Sequence, residues 1–204
     1  MTDQKLLTSL LAERSSKRGH FVLASGRESE FYIDARLTTM SPEGLSVIGR
    51  LGLEVLRESG WSVDAVGGLT LGADPISYAI SRESANTDRP VRAFTVRKEA
   101  KAHGTGKVIE GPFRTSDRVA VIEDVITTGG SALRAIEAVR AAGGTVSGVL
   151  AVVDRQEGGR ESLESAGIAV IALTTASEIM AVLETRAGQE ESVSASNPGK
   201  RPMA

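Results

Sequence analysis

"VAVIEDVITTGGSALRAI", Val119 to Ile136, is the stretch from which the rest of the chain can be read. The apolar run Val119 to Ile122 has the composition of a strand buried on both faces, and Leu133 and Ile136 begin the spacing of a helix. Between them lie two carboxylates, Glu123 and Asp124, and a turn of hydroxyls and glycines, Thr127, Thr128, Gly129, Gly130 and Ser131. An ordinary β-α turn with Ser131 as helix cap would account for the turn alone. The carboxylates ask for more. The first amides of a helix attract an anion, whereas carboxylates in contact with a phosphate repel it strongly. A ligand suited to both has an anionic end on the turn and hydroxyls, or developing positive charge, at Glu123 and Asp124. A phosphorylated sugar that reacts through an oxocarbenium-like state has that form. No lysine follows the second glycine as a Walker A loop requires, and "TTGGS" is not G-x-G-x-x-G.

Outward from this unit the pattern alternates. "DAVGGL" (64–69), "VRAFTV" (91–96), "TVSGVLAVVD" (145–154) and "AVIAL" (169–173) read as strands, with helices at 74–81, 131–144, 159–167 and 176–186. Buried Val/Ile/Ala strands alternating with helices predict a doubly wound α/β domain with a mainly parallel sheet, whose ligands collect beyond the carboxyl ends of the strands. Leu6, Leu7, Leu10 and Leu11 predict an amphipathic helix from about 3 to 18. Ser41 and Pro42 open a helix whose expected stripe is Leu45, Ile48, Gly52, Val55 and Leu56, closed by Gly60. We therefore expect an N-terminal helix and small covering subdomain at 1–40, a core at 41–186, and a polar, disordered tail at 187–204.

Composition excludes several classes of function. No cysteine is present, which removes disulfides, thiolate metal sites and cysteine nucleophiles. Only His20 and His103 are available for a histidine metal site. A net charge of -2 gives no bulk attraction to nucleic acid or an anionic membrane. With no leader-like N-terminus and no long apolar segment, the expectation is a soluble, cytoplasmic protein without nucleic-acid or membrane partners.

The strand followed by E-D-x-x-T-T-G-G-S resembles the signature with which type I phosphoribosyltransferases bind phosphoribosyl pyrophosphate. The resemblance implies that Glu123 and Asp124 hold the ribose hydroxyls, and that Val125, Ile126, Thr127, Thr128, Gly129, Gly130 and Ser131 enclose the 5-phosphate. "VRKEAKAHGTGKVIEG" (96–111) reads by itself as a basic, Gly-containing loop. It is similar to the catalytic loop of the orotate-using branch of that family. Carried over, Arg97, Lys98, Lys101 and His103 contact phosphoribosyl pyrophosphate, with Lys101 the loop residue tied to catalysis. The loop of that branch reaches the neighbouring subunit's site, so the resemblance also implies a homodimer with shared sites.

Base specificity rests on other residues. Arg155, just past a strand end, offers a fork for the carboxylate of orotate. A surface pair with Asp154 or Glu157 would explain the same residue. "FVLASGRESEFYIDARLTTMSPEG" (21–44) resembles the hood that covers the base in the orotate branch. Phe31 and Tyr32 would there flank or cap the pyrimidine, and Thr127 would join Arg155 in binding orotate. Some members carry a lysine where this chain has Ala24, and another in the loop where "GGLTLGADP" has Gly72. The resemblance implies transfer of the phosphoribosyl group to orotate, giving orotidine 5-monophosphate and pyrophosphate in pyrimidine synthesis. Mg²⁺ is implied too, held by substrate oxygens and water rather than mainly by side chains. Transfer to a purine, or a phosphoribosyltransferase-fold regulator that senses nucleotides and binds RNA, are the alternatives.

Overall fold

The computed structural model describes residues 1–22, 28–99 and 107–196. Helix α1 (Asp3–Leu10) continues through a π-helical turn at Leu11–Ser15 into β1 (Ser16–Val22), which pairs antiparallel with β2 (Glu28–Ile33). The helix expected to reach residue 18 thus ends at Ser15. From Ser16 the backbone is claimed by strand pairing, Ser16 opposite Ile33, and the serine–glycine content of "SSKRG" offers little helical resistance. A short helix α2 (Arg36–Thr39) leads to α3 (Pro42–Glu58). Ser41 caps α3 as its sequence predicts, its Oγ accepting the Gly44 N–H at 3.1 Å.

Six strands form the main sheet in the order β5-β4-β3-β6-β7-β8: β3 (Ala65–Leu69), β4 (Arg92–Val96), β5 (Ile109–Glu110), β6 (Arg118–Ile126), β7 (Thr145–Asp154) and β8 (Val170–Thr175). All neighbours are parallel except β4 and β5. The doubly wound, mainly parallel sheet is therefore as expected; the two-residue edge strand β5 is too short to leave a pattern in the sequence. The helices between the strands are α4 (Ala73–Ser84), α5 (Gly130–Ala141) and α6 (Gly159–Ser165), and α7 (Ala176–Ser196) follows β8.

Strand alternation divides the interior into two layers. On β6, Ala120 and Ile122 enter a core with α1, α3 and α4, while Val119 and Val121 enter a second core with α5 and α6. Helix α3 is covered more widely than its expected stripe. Val47, Leu51 and Leu53 are buried beside Ile48, Gly52 and Leu56, whereas Leu45 and Val55 are only half-buried, because α3 lies between α1 and α4. Leu7 and Leu11 of the N-terminal segment and Phe31 and Ile33 of the hairpin share the first core. Residues 1–40 therefore have no separate interior and are a covering layer on the same domain. The tail expectation also changes: α7 runs to Ser196, where disorder was expected from residue 187. Gln189, Glu190 and Glu191 favour helix, and composition alone undervalued that local preference. Residues 197–204 lie outside the described residues. No described helix is long and apolar enough to cross a membrane.

One buried ion pair ties β4 to the approach to β6. Arg92 donates through Nη2 to Asp117 Oδ1 at 2.7 Å and through Nη1 to Oδ2 at 3.0 Å, and the Arg114 N–H donates to the same Oδ2 at 2.8 Å. Asp117 is 5% exposed, so its removal strands a guanidinium and an amide. Replacing Asp117 with alanine should cost about 2 to 3 kcal/mol. That loss should appear as a lower urea midpoint with an unchanged slope; an unmoved midpoint would contradict it.

Candidate active site

Pairing between β3 and β6 runs from Ala65–Val119 to Gly67–Val121 and stops there. The chain leaves β3 toward β4 on one side, and β6 continues toward β7 on the other, so the two strand ends part at the point where the winding reverses. A cavity of about 370 Å³ opens in the gap. Its floor is the end of β6, its walls are the loop 69–72 and the start of α5, and its roof is the hairpin end 32–36.

Glu123 and Asp124 stand side by side on the floor. Glu123 is 7% exposed. Burial and then the neighbouring Asp124 charge push its carboxyl up to about 8, partly opposed by Arg134. Burial also raises Asp124, against the Val125 N–H that donates to its Oδ1 at 2.9 Å. Asp124 in turn fixes what the opposite wall can be. A Cβ at Gly72 would lie 2.6 Å from the Asp124 carboxylate, so the wall approaches the acid only because residue 72 has no side chain. Asp74 holds this loop by accepting hydrogen bonds from Thr70 at 2.6 Å and Thr95 at 2.8 Å.

The turn after β6 has the geometry of an anion cradle. Gly129 has φ +81°, a left-handed conformation that glycine adopts without strain, and it serves as N-cap of α5 without any side-chain cap. Ser131 is thus inside the helix and not its cap, which corrects the bland reading of the turn. The first amides of α5 remain available, and the hydroxyl-bearing Thr127 and Ser131 line the cavity beside them.

Of the residues singled out from sequence, Tyr32, Lys98, Glu123, Asp124, Val125, Thr127, Ser131 and Arg155 line this cavity together. Ile126 is in the core under the turn. Thr128, Gly129 and Gly130 form the turn itself, and Arg97 points to Glu110, 3.9 Å away at the end of the antiparallel pair. Lys101 and His103 lie outside the described residues. The expectation that both aromatic rings face the base is corrected by strand alternation: Tyr32 is exposed and Phe31 is 8% exposed with its ring in the core. Phe31 contributes its carbonyl instead, which accepts from Arg155 Nη2 at 3.0 Å. Arg155 also lies 2.7 Å from Glu157, so the expected surface pair exists, but the guanidinium is only 9% exposed and faces the cavity.

No family model matches the chain. Whole-chain comparison is decisive. The orotate phosphoribosyltransferase of Aquifex aeolicus is 46% identical over 183 residues, covering 88% of this chain and 99% of that protein. The chain belongs to the orotate phosphoribosyltransferase family. The family member from Synechocystis is 48% identical over 180 residues, covering 88% of this chain and 89% of that one. A crystal structure of the Mycobacterium tuberculosis orotate phosphoribosyltransferase in complex with phosphoribosyl pyrophosphate superposes with TM-score 0.73 at 40% identity, over 87% of this chain and 98% of that chain. An adenine phosphoribosyltransferase from Leishmania donovani shares the fold, with TM-score 0.61 at 20% identity.

Sequence reasoning missed Arg134, Arg36 and Asp34, all of which line the cavity. Arg134 follows Ser131 by three residues, so helical spacing already placed the two on one face. The other two, in "IDAR", carried no such signal.

The raised Glu123 makes a stability prediction. Between the ordinary carboxyl value of 4.5 and about 8, the folded state keeps a proton that the unfolded chain has lost. Stability from this group therefore falls as pH rises through that window, and the full cost is present above it. Glu123→Gln should raise the melting temperature of the ligand-free protein by about 5 °C at pH 8.5 and leave it close to wild type at pH 5. Equal gaps at both pH values would remove the proton on Glu123 from the explanation.

Proposed function

We propose that this chain transfers the 5-phosphoribosyl group from phosphoribosyl pyrophosphate to orotate, forming orotidine 5-monophosphate and pyrophosphate in pyrimidine synthesis. One observation carries the reading: the buried carboxylate pair lies between an uncapped, hydroxyl-lined helix start and a cavity-facing arginine. The 5-phosphate fits the turn at Thr127–Ser131, the ribose hydroxyls fit Glu123 and Asp124, and the carboxylate of orotate fits Arg155, with Tyr32 beside the ring. In the reaction the bond from ribose C1 to the diphosphate oxygen breaks, the bond from C1 to the pyrimidine nitrogen forms, and the proton on that nitrogen passes to the departing diphosphate. Positive charge grows on the ribose as the diphosphate leaves; Asp124 stabilises it electrostatically, and Glu123 joins it once the bound, charging ribose favours its ionised form. No side-chain nucleophile is required.

Among the described residues no three acidic or histidine side chains cluster as a metal cage. A donor set of two adjacent carboxylates fits Mg²⁺ that keeps most of its ligands from substrate and water. When bound it supplies neutralisation of the diphosphate charge. Lys98 lines the cavity at the start of the basic loop, and Lys101 and His103 follow in sequence. We read the enzyme as a cytoplasmic homodimer in which Lys98 serves its own subunit's site while Lys101 and His103 complete the partner's.

Purified protein should consume phosphoribosyl pyrophosphate with orotate and not with hypoxanthine or adenine; turnover with a purine alone would refute the base assignment. Arg155→Leu should raise the KM for orotate more than tenfold while changing that for phosphoribosyl pyrophosphate little. Lys101→Ala and Asp124→Asn should each be nearly inactive. Mixed and allowed to exchange subunits, they should recover roughly a quarter of wild-type activity if sites are shared. Absence of recovery, with exchange verified by mass, would place the loop in its own subunit's site.

A further inference from the structure

The roles above leave two cavity arginines unassigned, Arg36 and Arg134. Arg36 stands at the roof, on the first turn after the hairpin, and lines the cavity across from the wall 69–72. That wall brings Leu69, Thr70, Leu71 and Gly72, none of them charged, to the cavity. Arg134, on α5, stands on the side of the turn and Glu123, and Arg155 is tied to the hairpin and Glu157. The turn at Thr127–Ser131 is taken by the 5-phosphate. For the diphosphate, the most highly charged part of the substrate, the described walls leave Lys98 and Arg36.

We propose that Arg36 is a diphosphate-binding residue, oriented by Asp34. The inference rests on the reaction proposed above. Arg36 donates through Nε to Asp34 Oδ1 at 2.8 Å and through Nη2 to Oδ2 at 3.0 Å. Its own backbone N–H donates to Oδ1 at 3.2 Å, which fixes the carboxylate relative to the helix that carries the arginine. This fork occupies one edge of the guanidinium. Nη1 makes no hydrogen bond among the described residues, so its donors remain for an anion. A side chain that is 51% exposed would ordinarily sample many rotamers; the carboxylate clamp confines it before the ligand arrives and lowers the ordering cost of binding. Its placement is consistent with the electrostatics of the floor, since Arg36 and Asp124 each act on the other's ionisation. As the diphosphate departs, a cation on the roof and an acid pair on the floor would lie on opposite sides of the breaking bond, each facing the charge it favours.

Two probes divide the cavity: pyrophosphate with Mg²⁺ for the roof, and ribose 5-phosphate for the turn and floor. Titration calorimetry on the full chain should show Arg36→Met weakening pyrophosphate about tenfold and ribose 5-phosphate less than threefold. Arg36→Lys should recover part of the loss, because the charge returns without the fork, and Asp34→Asn should weaken pyrophosphate with Arg36 still present. Pyrophosphate affinity of Arg36→Met within threefold of wild type would overturn the assignment. Equal weakening of both probes would also overturn it, as the mark of a cavity that has lost its shape. If the wild-type protein binds neither probe, the proposed reaction itself fails, and this inference with it.

Discussion

Two largely buried carboxylates side by side on a cavity floor are an unfavourable arrangement, and the architecture around the cavity is organised about that fact. Burial raises both groups, and the Asp124 charge raises Glu123 further. The strand that carries them is held by parallel pairing to β7 along almost its whole length, so the acids cannot retreat. On the other side, pairing to β3 ends before they are reached, which creates the room they face. The cost is tolerable because it is met by a ligand. A ribose whose anomeric carbon becomes cationic supplies the partner the protein withholds, and does so most strongly at the transition state.

The same logic explains why flexible or unusual backbone surrounds a rigid floor. Gly72 lets one wall reach Asp124, and Gly129 lets the chain turn sharply enough to present bare amides. Both positions join a deeply buried strand to a helix; a side chain at Gly72 would run into the Asp124 carboxylate, and one at Gly129 would strain the left-handed turn and press on α6. Asp74, with Thr70 and Thr95, then fixes the wall by side-chain hydrogen bonds where sheet pairing has run out.

Much of this was legible from residue pattern. The run Val119 to Ile122 is apolar on both faces because both faces are covered, and that single fact implies helices on each side of the sheet. The turn residues pointed to the helix start that flanks the carboxylates. What pattern could not convey was the pairing of distant segments. Residues 16–18 read as helix locally and become strand through β2. Phe31 and Tyr32 look equivalent until alternation sends one into the core. Arg36 is unremarkable in sequence because its significance depends on the floor, nearly ninety positions away. Lys101 and His103 entered only through resemblance, and the described residues stop short of them.

Arg155, proposed above to hold the carboxylate of orotate, is also a fastener. Its Nη2 is occupied by Phe31 O at 3.0 Å and Ser29 Oγ at 3.3 Å, and its Nε lies against Glu157. Donors already in use have to be released, or Nη1 alone used, before a ligand carboxylate is held by the full fork. Reading the base is therefore a substitution within an existing network. A base without an acidic group offers nothing in exchange for the bonds it would displace, and the hairpin keeps its hold. Selection by charge and the seating of the hairpin over the cavity are, at this one guanidinium, the same event.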